Sequence, residues 1–149
     1  MNHQAILYVE DDENDVFLME HAWRQTGVLN PLKTVNDGEQ AVQYLSGEGK
    51  YANRDEYPLP MLVLLDLKLP KMGGLAVLKW IRAQPAIETL PVIILSSSSR
   101  AEDSRTAYAC GANSYLTKPS HTEGLMEMVA DLKDHWLCRN QPLPSGLPD

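Results

Sequence analysis

The sequence contains few cysteines and no long hydrophobic run. Only two of its 149 residues are cysteine, and Cys110 and Cys138 lack the spacing of metal ligands and are too few for a disulfide framework, so we expect reduced thiols. Apolar runs such as residues 61–65 and 92–95 have the length of a buried strand, far below the roughly 18 to 20 residues that a membrane span needs. These absences argue against a disulfide-stabilised fold and against a membrane protein.

The sequence also lacks a cluster of basic residues. Its 13 Lys and Arg are scattered and the net charge is −7, whereas a nucleic-acid surface gathers basic side chains against the phosphates. The amino-terminal segment MNHQAILYVEDD has no basic region before its apolar stretch and no cleavage site of small residues. We therefore expect a cytoplasmic protein that binds neither nucleic acid nor membrane, with a length typical of one domain.

Segments with strand character alternate with segments with helix character along the whole chain. The predicted strands are residues 5–9, 31–35, 61–65, 92–95 and 114–117, each followed by a helix, the last of which carries Leu125, Met128, Val129, Leu132 and Trp136 at helical spacing. Apolar strands separated by helices predict a doubly wound α/β fold of the (βα)₅ type, with a parallel sheet covered on both faces. In such sheets ligands bind at the carboxyl ends of the strands.

Two segments depart from this alternation. Residues 47–60 (GEGKYANRDEYPLP) form a long polar connection, and residues 138–149 (CRNQPLPSGLPD) form a Pro-rich tail after a domain that we place at residues 1–137. Each segment is consistent either with a surface loop or frayed terminus or with a contact surface.

Polar side chains follow the predicted strands where ligands are expected. Glu10, Asp11 and Asp12 follow the first strand, Asp66 the third, Ser96 the fourth and Lys118 the fifth. Carboxylates that meet at one edge repel one another, because an ionised pair about 5 Å apart costs roughly 3 kcal/mol at an effective dielectric near 20. A divalent cation would relieve this repulsion, and oxygen ligands without nearby His or Cys favour Mg²⁺ over Zn²⁺. The acidic run alone is also consistent with solvated loop residues or helix caps.

Asp66 stands at the end of an apolar strand, where a carboxylate has no packing role. A carboxylate can attack a phosphoryl group and hold it as an acyl phosphate. Phosphoryl transfer then mainly requires positive charge and hydrogen-bond donors on the phosphoryl oxygens, which Lys118 and Ser96 can supply. A lone Lys before Pro would be surface charge and a lone Ser a helix cap, so the interpretation depends on their positions at successive strand ends.

Four sequence blocks together resemble the response regulator receiver family. The blocks are ILYVEDD at 6–12, LLDLKLPKMGG at 64–74, ILSS at 94–97 and GANSYLTKP at 111–119. The resemblance as a whole covers about residues 4 to 137. Asp66 precedes Ser96 by 30 residues, and Ser96 precedes Lys118 by 22, as in receivers. The resemblance implies a CheY-like, flavodoxin-like fold with the strand order 2-1-3-4-5.

The resemblance also assigns roles to individual residues. Asp66 would be the phosphoacceptor, Ser96 the switch hydroxyl, Lys118 the phosphate-binding lysine and Tyr115 the switch aromatic, with the Lys118–Pro119 peptide bond cis. Mg²⁺ would be held by Asp11, Asp66 and the backbone carbonyl of Lys68, and by Glu10 through water.

The implied function is phosphorylation-dependent signalling without further enzymatic activity. A histidine kinase would phosphorylate Asp66, and since no output module follows residue 137, the output would be protein contact. The insertion and the tail resemble those of single-domain regulators of phytochrome-type kinases, some of which dimerise. We therefore expect a homodimer through the tail and the face of the fourth helix, fifth strand and last helix. Apolar contact there could come from Tyr108, Tyr115, Met126, His135, Trp136 and Leu137, although such a stripe is more often core.

Three alternative functions require residues that differ from those of this chain, or a missing residue. A phosphatase with an aspartyl-phosphate intermediate typically has a second Asp two residues after its nucleophile, where this chain has Lys68. A flavodoxin-like carrier needs a Gly- and hydroxyl-rich loop after the first strand, and the acidic run at residues 10–15 would repel its phosphate. An unphosphorylated, purely structural receiver usually lacks a key residue, and none is missing here.

Two positions depart from the common receiver pattern. Ser97 stands where the family more often has Ala, and Lys68 is basic where many members carry a neutral side chain. The resemblance implies that both positions border the path of the hydrolytic water. Lys68→Ala is therefore expected to change the decay rate of the phosphorylated protein, and an unchanged decay rate would refute this role.

Overall fold

The protein folds around one five-stranded parallel sheet. A computed structural model describes residues 3–138. Its strands are β1 (Ile6–Val9), β2 (Leu32–Val35), β3 (Leu62–Asp66), β4 (Val92–Ser96) and β5 (Ser114–Thr117). They are arranged in the order β2-β1-β3-β4-β5, and every pair is parallel. The predicted (βα)₅ fold and its strand order are therefore confirmed.

Helices cover both faces of the sheet. They are α1 (Glu13–Gln25), α2 (Gly38–Ser46), α3 (Gly74–Ala83), α4 (Ala101–Ala109) and α5 (Thr122–Leu132). The apolar strands supply both cores, because successive side chains of a strand point to opposite faces. In β1, Leu7 and Val9 pack with α2, α3 and α4, whereas Ile6 and Tyr8 pack with α1 and α5.

The acidic residues after β1 have separate roles. Asp12 caps α1, and its Oδ1 accepts hydrogen bonds from the backbone N–H groups of Asn14 (2.8 Å) and Asp15 (3.1 Å). The helix-cap alternative for the acidic run therefore holds for Asp12. Glu10 continues the line of β1, where its backbone N–H donates to Val35 O.

The polar insertion packs on the core and is not a detached surface loop. Within residues 47–60, a 3₁₀ turn at Gly49–Ala52 buries Tyr51, which lies 5.1 Å from the Tyr44 ring and 5.0 Å from the Tyr57 ring, centroid to centroid. The Arg54 guanidinium donates to the carbonyl oxygens of Tyr44, Leu45 and Tyr57. Arg54 thereby satisfies carbonyl groups that the carboxyl end of α2 leaves without helical partners.

The last helix is longer than α5 itself. Residues Lys133–Cys138 continue it as a π-helical segment, in which Trp136 and Leu137 are half-buried against the core and His135 is exposed. The Lys133 ammonium donates to Thr26 O at the end of α1. The predicted tail, except for the backbone of Cys138, lies outside the described residues. None of the helices in residues 3–138 is long and apolar enough to cross a membrane.

Candidate functional site

Glu10, Asp11 and Asp66 form a carboxylate cluster at the carboxyl edge of the sheet. One carboxylate oxygen from each residue lies within 4.8 Å of those from the other two. Glu10 and Asp66 are buried, whereas Asp11 is exposed. Their oxygen atoms are the ligands that a hard divalent cation prefers, and the exposed carboxylate leaves the cluster open to solvent. The cluster therefore fits the expected Mg²⁺ site.

The strand register brings the two buried acids together. β1 and β3 pair with Val9 opposite Leu65, so that Glu10 and Asp66, one residue further along each chain, lie side by side. Asp66 is the last residue of β3 and Glu10 directly follows β1, and both side chains are buried, so the backbone of the sheet restricts where their carboxylates lie. This pairing explains how acids 56 positions apart in sequence (66 minus 10) reach one site.

Lys118 places a positive charge among these acids. Its Nζ lies 2.5 Å from Glu10 Oε1, 3.1 Å from Asp15 Oδ2 and 3.4 Å from Asp66 Oδ2. Its backbone N–H donates to Ser96 O at 2.7 Å, which ties the end of β5 to the end of β4. Asp15 was missed as a site residue by the sequence analysis, which placed it only in the acidic run. A side chain in the first turn of α1 could be recognised as a site residue only by assuming that α1 begins at residue 13.

The buried charges shift the pKa values of the site. The pKa of Glu10 is raised to about 7 as the net result of opposing effects: burial raises it most, the hydrogen bond from Lys118 lowers it, and the charge of Asp66 raises it. Burial lowers the pKa of Lys118, but contacts with Glu10, Asp66 and Asp15 outweigh burial and raise it overall. Lys118 is therefore charged at neutral pH. Its positive charge favours the ionised form of Glu10, and a cation bound at the cluster would do the same.

Tyr8 is a second residue that sequence reasoning missed. It lies in the interior of β1, and its hydroxyl donates to Glu10 Oε1 at 3.3 Å. Burial, followed by the charges of Glu10 and Asp15, strongly raises the pKa of Tyr8, so that the hydroxyl stays protonated. The available signal was the two-residue spacing between Tyr8 and Glu10, which places both side chains on the same face of β1.

Ser96 and Tyr115 are linked through the loop after β4. Ser96 is buried, and its Oγ accepts a hydrogen bond from the Ser98 N–H at 3.1 Å. The Tyr115 hydroxyl donates to Ser98 O at 2.9 Å. The Ser98 hydroxyl donates to Asp103 Oδ2 at 2.5 Å, which connects the loop to α4. The backbone of Ser98 thus touches both predicted switch residues, and Ser97 beside it is exposed.

The loop after β3 completes the surroundings of Asp66. Lys68 is exposed, and its backbone N–H donates to Asp66 Oδ1 at 3.4 Å. Gly74, which begins α3, donates its N–H to Leu67 O at 2.9 Å. The backbone of Gly74 approaches Asp66 so closely that an added Cβ would lie 2.1 Å from Asp66 O.

One expectation about this edge is wrong. The peptide bonds of the described residues include no cis bond, so the Lys118–Pro119 bond is trans. In this conformation the Lys118 side chain still reaches Glu10 and Asp66.

Comparison with known proteins identifies relatives over nearly the whole chain. The family model described as response regulator receiver domain matches residues 6–130. Response regulator Rcp1 of Synechocystis sp. is 34% identical over 134 residues, which are 90% of this chain and 89% of Rcp1. The probable methanogenesis regulatory protein FilR2 of Methanothrix harundinacea is 36% identical over 139 residues, which are 91% of this chain and 85% of FilR2.

Solved structures are similar over the same extent. The phosphorylated cyanobacterial phytochrome response regulator RcpA superposes with a TM-score of 0.85 at 36% identity, covering 93% of this chain and 97% of RcpA. The Mn²⁺-bound form of Rcp1 superposes with a TM-score of 0.83 at 32% identity, covering 95% of this chain and 99% of that structure.

The close approach at Gly74 generates a test. Gly74→Ala should lower the free energy of unfolding by about 1 to 3 kcal/mol, because the methyl group overlaps Asp66 O and the backbone must shift. The same shift should weaken Mn²⁺ binding, measured by electron paramagnetic resonance, with stability measured by urea unfolding. Gly73→Ala is the matched control, since a Cβ there meets Leu67 O only at 3.9 Å. Equal effects of the two substitutions would contradict this account.

Proposed function

This chain belongs to the response regulator receiver family, and we propose that it is a single-domain response regulator that accepts a phosphoryl group on Asp66. Receiver domains are signalling domains that take phosphoryl groups from histidine kinases and bind Mg²⁺ at an acidic site. The observation that carries the proposal is the position of the Lys118 ammonium 3.4 Å from Asp66 Oδ2, beside the Glu10–Asp11–Asp66 carboxylate cluster.

The chemistry proposed for Asp66 is a displacement at phosphorus. A carboxylate oxygen of Asp66 forms a bond to the phosphorus of a phosphohistidine as the P–N bond breaks, which leaves an acyl phosphate and a free imidazole. The Lys118 ammonium balances charge on the phosphoryl oxygens, and the Ser96 hydroxyl donates a hydrogen bond to one of them. Mg²⁺, when held by Asp11, Asp66, the Lys68 carbonyl and, through water, Glu10, supplies further positive charge.

The proposed switch uses the contacts of the loop after β4. If the Ser96 hydroxyl turns to a phosphoryl group, the Ser98 N–H loses its present acceptor and the loop is free to move. The Tyr115 hydroxyl is bonded to Ser98 O, and movement of the loop would therefore be transmitted to the face of α4, β5 and α5.

A phytochrome-type histidine kinase is the proposed partner. This proposal is supported by the similarity of the chain to RcpA, which is a phytochrome response regulator, and to Rcp1. The comparable identity to FilR2, a methanogenesis regulatory protein, means that similarity alone does not select the kinase. Preferential transfer from a phytochrome-type kinase over an unrelated kinase would be the direct test. The cytoplasmic location and the division into a domain at 1–137 and a tail at 138–149 stay predictions.

The phosphatase alternative lacks its acid–base residue. Such an enzyme would need an acid two residues after Asp66, and the Lys68 side chain at this position is exposed and cationic. The phosphoryl group is therefore proposed to remain on Asp66 as a signal, and not as an intermediate of rapid turnover.

Phosphorylation is tested with a small-molecule donor. Incubation with acetyl phosphate and Mg²⁺ should increase the mass of the wild-type protein by one phosphoryl group, measured by mass spectrometry. Asp66→Asn should gain no mass, because the amide is not a competent nucleophile, and EDTA should prevent the gain in the wild type. Glu39→Gln, an exposed charge change on α2, is the control and should be phosphorylated normally. An adduct that survives Asp66→Asn would contradict the proposal.

A homodimer through α4, β5, α5 and the tail is proposed as the output state. The Tyr108 side chain on α4 is 50% exposed and offers an apolar contact, while Trp136 and Leu137 are already half-buried against the core. Sedimentation velocity with and without beryllium fluoride should show a dimer, and Tyr108→Ala should weaken it. A monomer under both conditions would remove the proposal. Phe17→Ala, which removes an exposed aromatic side chain of α1 outside this face, is the control.

A further inference from the structure

We propose that Asp15 is a positioning residue that competes with the phosphoryl group for Lys118. This inference rests on the proposed function, because it concerns how strongly the site holds a phosphoryl group on Asp66. It adds a carboxylate from the first turn of α1 to the residues that determine the phosphorylated fraction.

Lys118 has no unused hydrogen-bond donor in this structure. Its three ammonium hydrogens face three carboxylates, those of Glu10, Asp15 and Asp66. The Lys118 side chain is only 19% exposed, and these carboxylates are its hydrogen-bond partners. A phosphoryl oxygen on Asp66 would therefore share the ammonium with Glu10 and Asp15, whose carboxylates occupy two of its three hydrogens.

The three carboxylates differ in what else can balance their charge. Glu10 and Asp66 belong to the cluster that fits a divalent cation, whereas the cluster identified among residues 3–138 does not include Asp15. A cation at the cluster would compensate Glu10 and Asp66 but leave Asp15 dependent on Lys118 or on solvent. Asp15 is thus the carboxylate that remains as a competitor once the site is loaded.

Local structure holds Asp15 in place for this role. The Asp12 cap accepts a hydrogen bond from the backbone N–H of Asp15 at 3.1 Å, which fixes the first turn of α1. Asp15 and Lys118 also line the same cavity, of about 460 Å³, between α1 and α5. The cavity leaves space beside the contact between Lys118 and Asp15.

Two electrostatic effects of Asp15 have the same sign. Its carboxylate attracts the lysine away from the phosphoryl group, and it also repels the phosphoryl oxygens directly. Because the Asp15 side chain is 38% exposed, solvent screens both effects, and we expect removal of the charge to change affinity by about fivefold, as for a favourable partly exposed pair. Were Asp15 instead a guide that aims Lys118 at the phosphoryl group, its removal would weaken binding.

The test measures affinity for beryllium fluoride, which mimics the phosphoryl group, at saturating Mg²⁺. Asp15→Asn should bind it about fivefold more tightly than the wild type, measured by ¹⁹F nuclear magnetic resonance. Glu13→Gln is the matched control, because it removes an exposed acid from the same helical turn and should change the affinity by less than about twofold. In protein that also carries Lys118→Ala, Asp15→Asn should tighten beryllium fluoride binding much less than it does alone. This double-mutant cycle tests whether Asp15 acts through Lys118.

The outcomes separate this inference from the proposed function. If the wild type binds beryllium fluoride and Asp15→Asn binds it equally or more weakly, the inference is overturned while the proposed function stands. Equal tightening by Asp15→Asn and Glu13→Gln would also overturn it, because net charge would then explain the effect. If the wild type binds no better than Asp66→Asn, the proposed function fails and the inference fails with it. Thermal unfolding of Asp15→Asn verifies that the variant is folded.

Discussion

The site depends on a single ammonium group that must neutralise several carboxylates at the edge of the sheet. Glu10 and Asp66 are buried side by side, and a buried carboxylate without a partner is costly enough to take up a proton or to disrupt the local structure. Lys118 relieves this cost by contacting both. The same contact leaves the lysine in place for an anion on Asp66, so the stabilising interaction of the resting protein and the proposed interaction of the phosphorylated protein use the same atoms.

This arrangement makes the site responsive to charge. A cation at the cluster would compensate Glu10 and Asp66 and weaken their hold on the lysine, whereas a phosphoryl group on Asp66 would attract the lysine and add negative charge for a cation to balance. Tyr8 and Asp15 extend the network beyond the residues that the receiver pattern contains, the first as a donor to Glu10 and the second as a further partner of Lys118. Differences in such supporting residues offer a physical route by which receivers with the same central residues differ in how long they stay phosphorylated.

The surrounding fold positions the site by simple means. Parallel strands with apolar side chains on both faces place their carboxyl ends at one edge, and the close approach of Gly74 to Asp66 O fixes the loop that follows. The polar insertion was open to interpretation from its composition. Its folding onto α2 depends on Arg54 reaching carbonyl groups of residues 44 and 45, a contact that no local pattern specifies.

Apolar periodicity was enough to predict the five strands, the five helices and the edge where polar residues gather, since these follow from local chain geometry and burial. The strand ends also identified Glu10, Asp66 and Lys118, because a charge directly after an apolar strand has no packing explanation. Only the tertiary structure decided which acids share the lysine. The 3.1 Å contact between Asp15 and Lys118 joins residues 103 positions apart, and it depends on how α1 packs beside the end of β5, which is set by the whole core.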